Sequence, residues 1–340
     1  MSERGAAFEQ HLSRLRAHRD DPAAWSVFSD FVAAEGFPRG ELMALHARLE
    51  AAPGDRSALE TRRLALFKDH LEAFLGPKGV IGDLQLTWRR GFIASAVVPN
   101  LGGVRVEASR ELARHPSGAL LDALEVVPAH AQAYFEADGP RPVRELTLRA
   151  GLQQLTGLAL FGDAPTELTD LDFVPLGWLA RRAPELHTLR LLAPLRTDAR
   201  ALAHPGVREL ELNGEVTGLE GVLERCPAVT RLLLGHGRFG ATYMPEPHLE
   251  ALVVSGPRRL ESLTFAALPR EPSALPLGLV VDTLDLRQLE LESRDVEHLI
   301  RLVRRFAGKA GRVQLPRLRL KEALRRRLDL AVKDAVTSAK

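Results

Sequence analysis

Apolar and polar positions change their period twice along this chain. In residues 1–78 the apolar ones recur at three and four, the helical spacing. Four runs follow it: Phe8, Leu12 and Leu15; Trp25, Phe28, Phe31 and Val32; Leu42, Leu45 and Leu49; Leu64, Phe67, Leu71 and Phe74. Turn chemistry punctuates them. Asp21-Pro22 predicts an N-cap with proline at the first helical position, Gly36 a stop, Pro53-Gly54 a break, and Ser57-Ala-Leu-Glu60 a capping box opening a fourth helix.

Beyond residue 78 the period shortens to two. Pro184-Glu-Leu-His-Thr-Leu-Arg-Leu191, Pro205-Gly-Val-Arg-Glu-Leu-Glu-Leu212 and Pro227-Ala-Val-Thr-Arg-Leu-Leu-Leu234 share one template, and their middle leucines Leu189, Leu210 and Leu232 lie 21 and 22 residues apart. An internal repeat of this length describes units that bury their apolar sides only by stacking on one another. Strands are expected near Leu124, Leu146, Leu158, Leu189, Leu210, Leu232, Leu252, Leu263 and Leu284, after a strand pair that turns at Gly91. Short helices are expected to end before Pro116, Pro205 and Pro227, and another over 175–182, because a proline cannot continue a helix through its predecessor. From Ser293 the helical period returns, with Val296, Leu299, Ile300, Val303 and Phe306 on one face and Leu320, Leu324, Leu328 and Val332 on a second helix.

Two resemblances rest on these residues. Asp21-Pro-Ala-Ala-Trp25, Phe28-Ser-Asp30-Phe31 and Glu35-Gly36-Phe-Pro-Arg39-Gly40-Glu41-Leu42 resemble the bacterial repeat-companion domain, a helical module found before leucine-rich-type repeats; Phe31 stands where that pattern has tryptophan. Residues 80–290 resemble leucine-rich repeats. They depart from the family where its asparagine ladder would stand: those positions are Gly151, Asp163, Pro194, Glu215, Gly237, Pro257, Leu268 and Leu289, and Asn213 is out of register. Together the resemblances imply an α/β fold: an irregular leucine-rich-repeat-like solenoid of short parallel strands over 79–292, preceded by the helical module 1–78 and closed by a basic helical cap over 293–340.

Composition narrows the chemistry. Of 340 residues 45% are hydrophobic but only 5% aromatic, which suits leucine-stacked layers better than an aromatic-rich pocket. Cys226 is the single cysteine, so an intramolecular disulfide is excluded and a reducing, cytoplasmic setting is expected. No run of 18 apolar residues predicts a membrane span. The net charge of +2 hides an asymmetry, since residues 301–340 hold 13 Lys/Arg against 3 Asp/Glu.

Candidate chemistry is sparse. Gly235-His-Gly237-Arg-Phe-Gly240 matches a dinucleotide glycine pattern, yet the two prolines Pro245 and Pro247 leave it no helix to open, so it reads as an inter-repeat loop. The 11 histidines show no metal spacing, and Cys226 reads as core. His115 and His204 read as loop or helix-end residues, and Asp30 with Arg39 as a charged pair fixing a helical hairpin. No catalytic, cofactor or metal residue is assigned, and no enzyme is expected. The expected function is a protein-interaction scaffold binding an as yet unidentified protein on the outward strand positions: Glu145, Thr147, Arg149, Thr188, Arg190, Glu209, Glu211, Asn213, Arg231, Leu233, Val253, Thr264, Thr283 and Asp285. The alternative is nucleic-acid or anionic-surface association through the basic segment 301–340, with Arg325, Arg326 and Arg327 at its centre.

Overall fold

The computed structural model describes residues 3–51, 56–99, 105–136, 139–149, 176–217, 221–235, 243–244, 258–269, 279–289, 291, 295–318 and 320–336. The strands expected near Leu158 and Leu252, most of the 235–240 glycine segment and Val253 lie outside them. The fold is mixed α/β with mostly parallel strands and a helical N-terminal region. By internal contacts it divides into two compact units, Met1–Arg144 and Glu145–Lys340. The expected boundary at 78/79 falls inside the first unit, and that at 292/293 inside the second.

The first unit opens with α1 (Glu3–Ala17), α2 (Pro22–Ala34) and α3 (Pro38–Ala51). Asp21 caps α2 as its sequence requires, its Oδ1 accepting the Ala23 N–H at 2.9 Å. The end of α2 is closed by Gly36 at φ 63°, with the Gly36 N–H on the Ala33 carbonyl and the Phe37 N–H on that of Val32. Gly40 then permits close packing, because a Cβ there would stand 3.1 Å from the Val32–Ala33 backbone.

The next helices correct the expected pattern. In α4 (Ser57–Asp69) Ser57 is the first helical residue, and no side chain caps the helix. At His70 (φ −129°, ψ 41°) the helix breaks before α5 (Leu71–Leu75), so the apolar spacing does not run through. Leu66 and Phe74 therefore join Leu42 and Leu45 in a core, while Leu64 remains 64% exposed.

After Pro77–Asp83, β1 (Gln85–Arg89) and β2 (Phe92–Val97) form an antiparallel pair. Their turn has positive φ at both Arg90 and Gly91, which matches the strands' right-handed twist. A crossover containing α6 (Val106–Arg114) leads to β3 (Ala123–Val126), parallel to β2, and α7 (Pro128–Phe135) follows. Leu12, Leu15, Phe28, Val32 and Met43 share one cluster with Phe92, Ala119 and Leu120, so the helical module and the first strands have a common core.

The second unit contains β4 (Glu145–Leu148), α8 (Leu179–Arg182), β5 (Thr188–Asp198), β6 (Glu209–Thr217), α9 (Val222–Arg225) and β7 (Arg231–Leu234). After these come β8 (Tyr243–Met244), β9 (Arg258–Phe265), β10 (Leu268–Pro269), β11 (Leu279–Asp285), α10 (Val296–Arg305), β12 (Ala310–Gln314) and α11 (Glu322–Val336). Strands β4-β5-β6-β7-β9-β11-β12 are all parallel neighbours, and β8 pairs with β10 separately. Leu146, Leu189, Leu210, Leu232, Leu263 and Leu284 stand side by side in one row, each at most 2% exposed. The connecting segments bury Leu179, Leu202, Val222, Leu223 and Cys226, so the leucine face is the covered one. Between the two expected cap helices, β12 appears as an additional strand.

A Cβ at Gly91 would meet the Met43 side chain at 2.6 Å in a left-handed backbone, whereas at Gly36 it would meet nothing within 4 Å. Gly36→Ala is expected to cost about 1 kcal/mol, from backbone strain alone, and Gly91→Ala about 2–4 kcal/mol. Urea denaturation of the two variants measures the difference.

Candidate partner-binding face

Opposite the leucines, register aligns two outward rows. The first runs Glu145, Thr188, Glu209, Arg231, Ser262, Thr283, Arg312, and the second Thr147, Arg190, Glu211, Leu233, Thr264, Asp285, Gln314. Eleven of the fourteen expected face residues therefore lie in these rows. Arg149 follows β4, and Asn213 lies in β6 opposite Leu192. Most row members are exposed or half-buried. Thr188 corrects the expectation of an outward contact, being only 8% exposed. The reason is Arg190, whose guanidinium reaches the glutamates on both sides of Thr188 in the first row.

Arg190 organises one end of this face. It lies 3.3 Å from Glu145, 3.5 Å from Glu209 and 3.6 Å from Glu211. Three carboxylates around one guanidinium leave that end acidic. Farther along, Arg231 pairs with Glu261 at 3.4 Å, Asp285 with Arg287 at 2.7 Å, and Arg312 donates to the Thr283 hydroxyl at 2.8 Å. Hydrogen bonds from Arg287 hold the Asp285 carboxyl below the usual carboxylate range.

Other candidate groups are occupied within the fold. Arg39 does not meet Asp30, which stays exposed on α2; it is buried instead, donating to the Gly91 carbonyl and, at 2.9 Å, to the Ser117 hydroxyl. Burial lowers its pKa to about 9, which leaves it charged at neutral pH. Burial also raises the pKa of Cys226, so its thiol stays protonated. The structure brings together one pair that spacing did not suggest, Ser109 and His130, with Oγ and Nδ1 2.8 Å apart. Ser109 is fully buried, beyond reach of a substrate carbonyl, so the pair ties α6 to α7. Among the described residues no cluster of three His, Cys, Asp or Glu could hold a metal ion, and no helix is long and apolar enough to cross a membrane.

Of the basic trio on α11, Arg326 is held by Glu322 at 3.0 Å and Arg327 by both oxygens of Glu297. Arg325 is exposed.

No family model, curated protein or solved structure matches this chain.

Three histidines act alike. His46 Nδ1 accepts the Gly91 N–H at 3.0 Å, His115 Nδ1 that of Ser117 at 3.1 Å, and His204 Nδ1 those of Gly206 and Val207 at 3.1 and 3.2 Å. The proton therefore sits on Nε2, which His115 gives to the Glu72 carbonyl and His204 to that of Ala183. Burial is the main cause lowering all three pKa values, that of His115 to about 4. Unfolded histidine titrates near 6.5, so the unfolded chain binds more protons below that pH. Stability should be full above about pH 6.5 and decline as pH falls towards about 4. Urea midpoints measured from pH 7.5 to 4.5 test this, with a shallower decline expected for His115→Asn.

Proposed function

We propose that this protein is a non-enzymatic adaptor, a bacterial leucine-rich-repeat-like solenoid with an N-terminal repeat-companion module, that binds a protein partner in the cytoplasm. Partner capture is assigned to the outward strand face of the second unit. The observation that carries the reading is the strict register of the two outward rows. It holds charges of both signs, hydroxyls and the half-buried Leu233 in one extended array while the leucines beneath stay covered. Protein recognition by many modest contacts suits such an array. A phosphate-binding surface would instead concentrate unpaired cations, whereas Arg190 is ringed by carboxylates and two of the three α11 arginines are engaged.

Replacing Arg190, Glu211 and Arg231 together with alanine tests the reading. Half-exposed ion pairs contribute about 0–1 kcal/mol each, so the urea midpoint should move little. Affinity capture from the native host, quantified by mass spectrometry, should lose its specific partner with the triple variant. Retention of the same partner at wild-type level would overturn the strand face as the binding surface.

A further inference from the structure

Arg190 and Arg231 on the strand face have carboxylate partners, whereas three arginines of α10 have none. α10 buries Val296, Leu299, Ile300, Leu302 and Val303, which leaves Arg301, Arg304 and Arg305 exposed on its outer side. Arg304 and Arg305 stand three and four residues after Arg301, so both are its neighbours on the helix surface, about 5–6 Å away at Cβ. None of the three makes an ion pair or a side-chain hydrogen bond with any described residue.

Folding does not account for this arrangement. Glu297 stands four residues before Arg301, the order that favours an ion pair along a helix, yet both of its oxygens are held by Arg327 of α11. Like charges at these spacings repel. The helix dipole favours cations in the last turn, where Arg304 and Arg305 lie, but Arg301 is outside it. Three adjacent guanidiniums thus lack a counter-charge. Phe306, just after α10, meets the inward Phe265 of β9 edge-on at 6.5 Å. The helix therefore covers the leucine side of the sheet, and its arginines face away from the outward rows.

We propose that Arg301, Arg304 and Arg305 bind the phosphodiester backbone of a nucleic-acid duplex. A duplex supplies negative charge in a line, one per about 1.7 Å of axis, and guanidinium meets phosphate through parallel donors. An anionic membrane is the poorer match, because helices that lie on bilayers sink an apolar side. None of the large apolar residues exposed among the described residues belongs to α10. Phosphate contacts position a duplex without reading its sequence.

Fluorescence anisotropy of the full-length protein with a labelled DNA duplex tests the proposal. Three phosphate contacts give a salt slope of about −2.7, so affinity should fall about 40-fold between about 50 and 200 mM KCl. A second duplex of unrelated sequence should bind within about twofold. Replacing the three arginines with glutamine changes only exposed side chains, so circular dichroism should be unchanged while affinity at about 50 mM KCl falls at least tenfold. Arg325→Gln, exposed on α11, should change it less than twofold. The proposal is overturned if the duplex does not bind at the lower salt, if the triple variant binds as tightly as wild type, or if Arg325→Gln costs as much. It is equally overturned if phosphatidylserine vesicles bind the protein and the duplex does not.

Discussion

Stacked parallel strands depend on what happens at their corners. The leucine row can be dry only if the chain returns to the sheet at the same height every time, and each return buries backbone carbonyls that must find donors. Leucine-rich repeats meet this need with an asparagine ladder, which this chain lacks. Side chains from the following turn reach back instead: His204 Nε2 to the Ala183 carbonyl at 2.9 Å, Arg225 Nε to Leu202 at 3.0 Å, and Arg258 to Val229 at 3.0 Å. Each such bond contributes only about 0.5–1.5 kcal/mol net, but leaving the carbonyl unpaired costs about 1–3 kcal/mol. His204 does the most, because its Nδ1 also accepts two backbone N–H groups of its own corner. The imidazole must be neutral to fill both roles, which makes the corners sensitive to acid.

A related economy explains the Arg39-Gly40-Glu41 signature. Arg39 is buried without a carboxylate among the described residues, an arrangement that is costly unless its donors are matched. They are matched by the Gly91 carbonyl and the Ser117 hydroxyl, and the ring of Phe92 lies 4.5 Å from its guanidinium carbon. Gly40 lets α3 approach α2 closely enough to present that side chain, and Glu41 holds α4 through Arg62 at 2.6 Å. His46, two turns along α3, takes the Gly91 N–H while Arg39 takes its carbonyl. One helix thus grips both sides of the β1–β2 turn. The helical module is for this reason part of the first sheet unit rather than an appendage to it.

How much of this was legible follows from the range of each interaction. The Leu-x-Leu strands were readable because alternation is local and the repeat fixes their spacing, and the Asp21 cap and Gly36 stop were readable for the same reason. Alternation also puts eleven of the fourteen expected face residues into the two outward rows. It did not show that Thr188 is covered, since Arg190 reaches across from the second row. The three-and-four period puts Leu64 and Leu71 inward, but that period breaks at His70. Nor could spacing find β12: Ala-Gly-Arg-Val-Gln is a weak strand former, and its pairing with β11 holds it in place. Proximity in sequence pairs Arg39 with Asp30, whereas its partners in the structure lie 52 and 78 residues away and meet it only through tertiary packing.

The charges on the strand face have a consequence for how it can work. Arg190 is about a third exposed and its three carboxylate contacts are 3.3 Å or longer, so water competes for each of them. Contacts of this kind are individually worth at most about 1 kcal/mol and are screened beyond roughly 10 Å at 0.1 M salt. The network therefore keeps the face charged, and on the proposed reading a partner's ionic groups would replace the internal ones at small cost. Leu233 sits in the same row as Glu211, apolar and only half covered. Its contribution does not exchange with solvent ions, so on the proposed reading specificity would come from matching that fixed apolar point while the surrounding charges adjust to it.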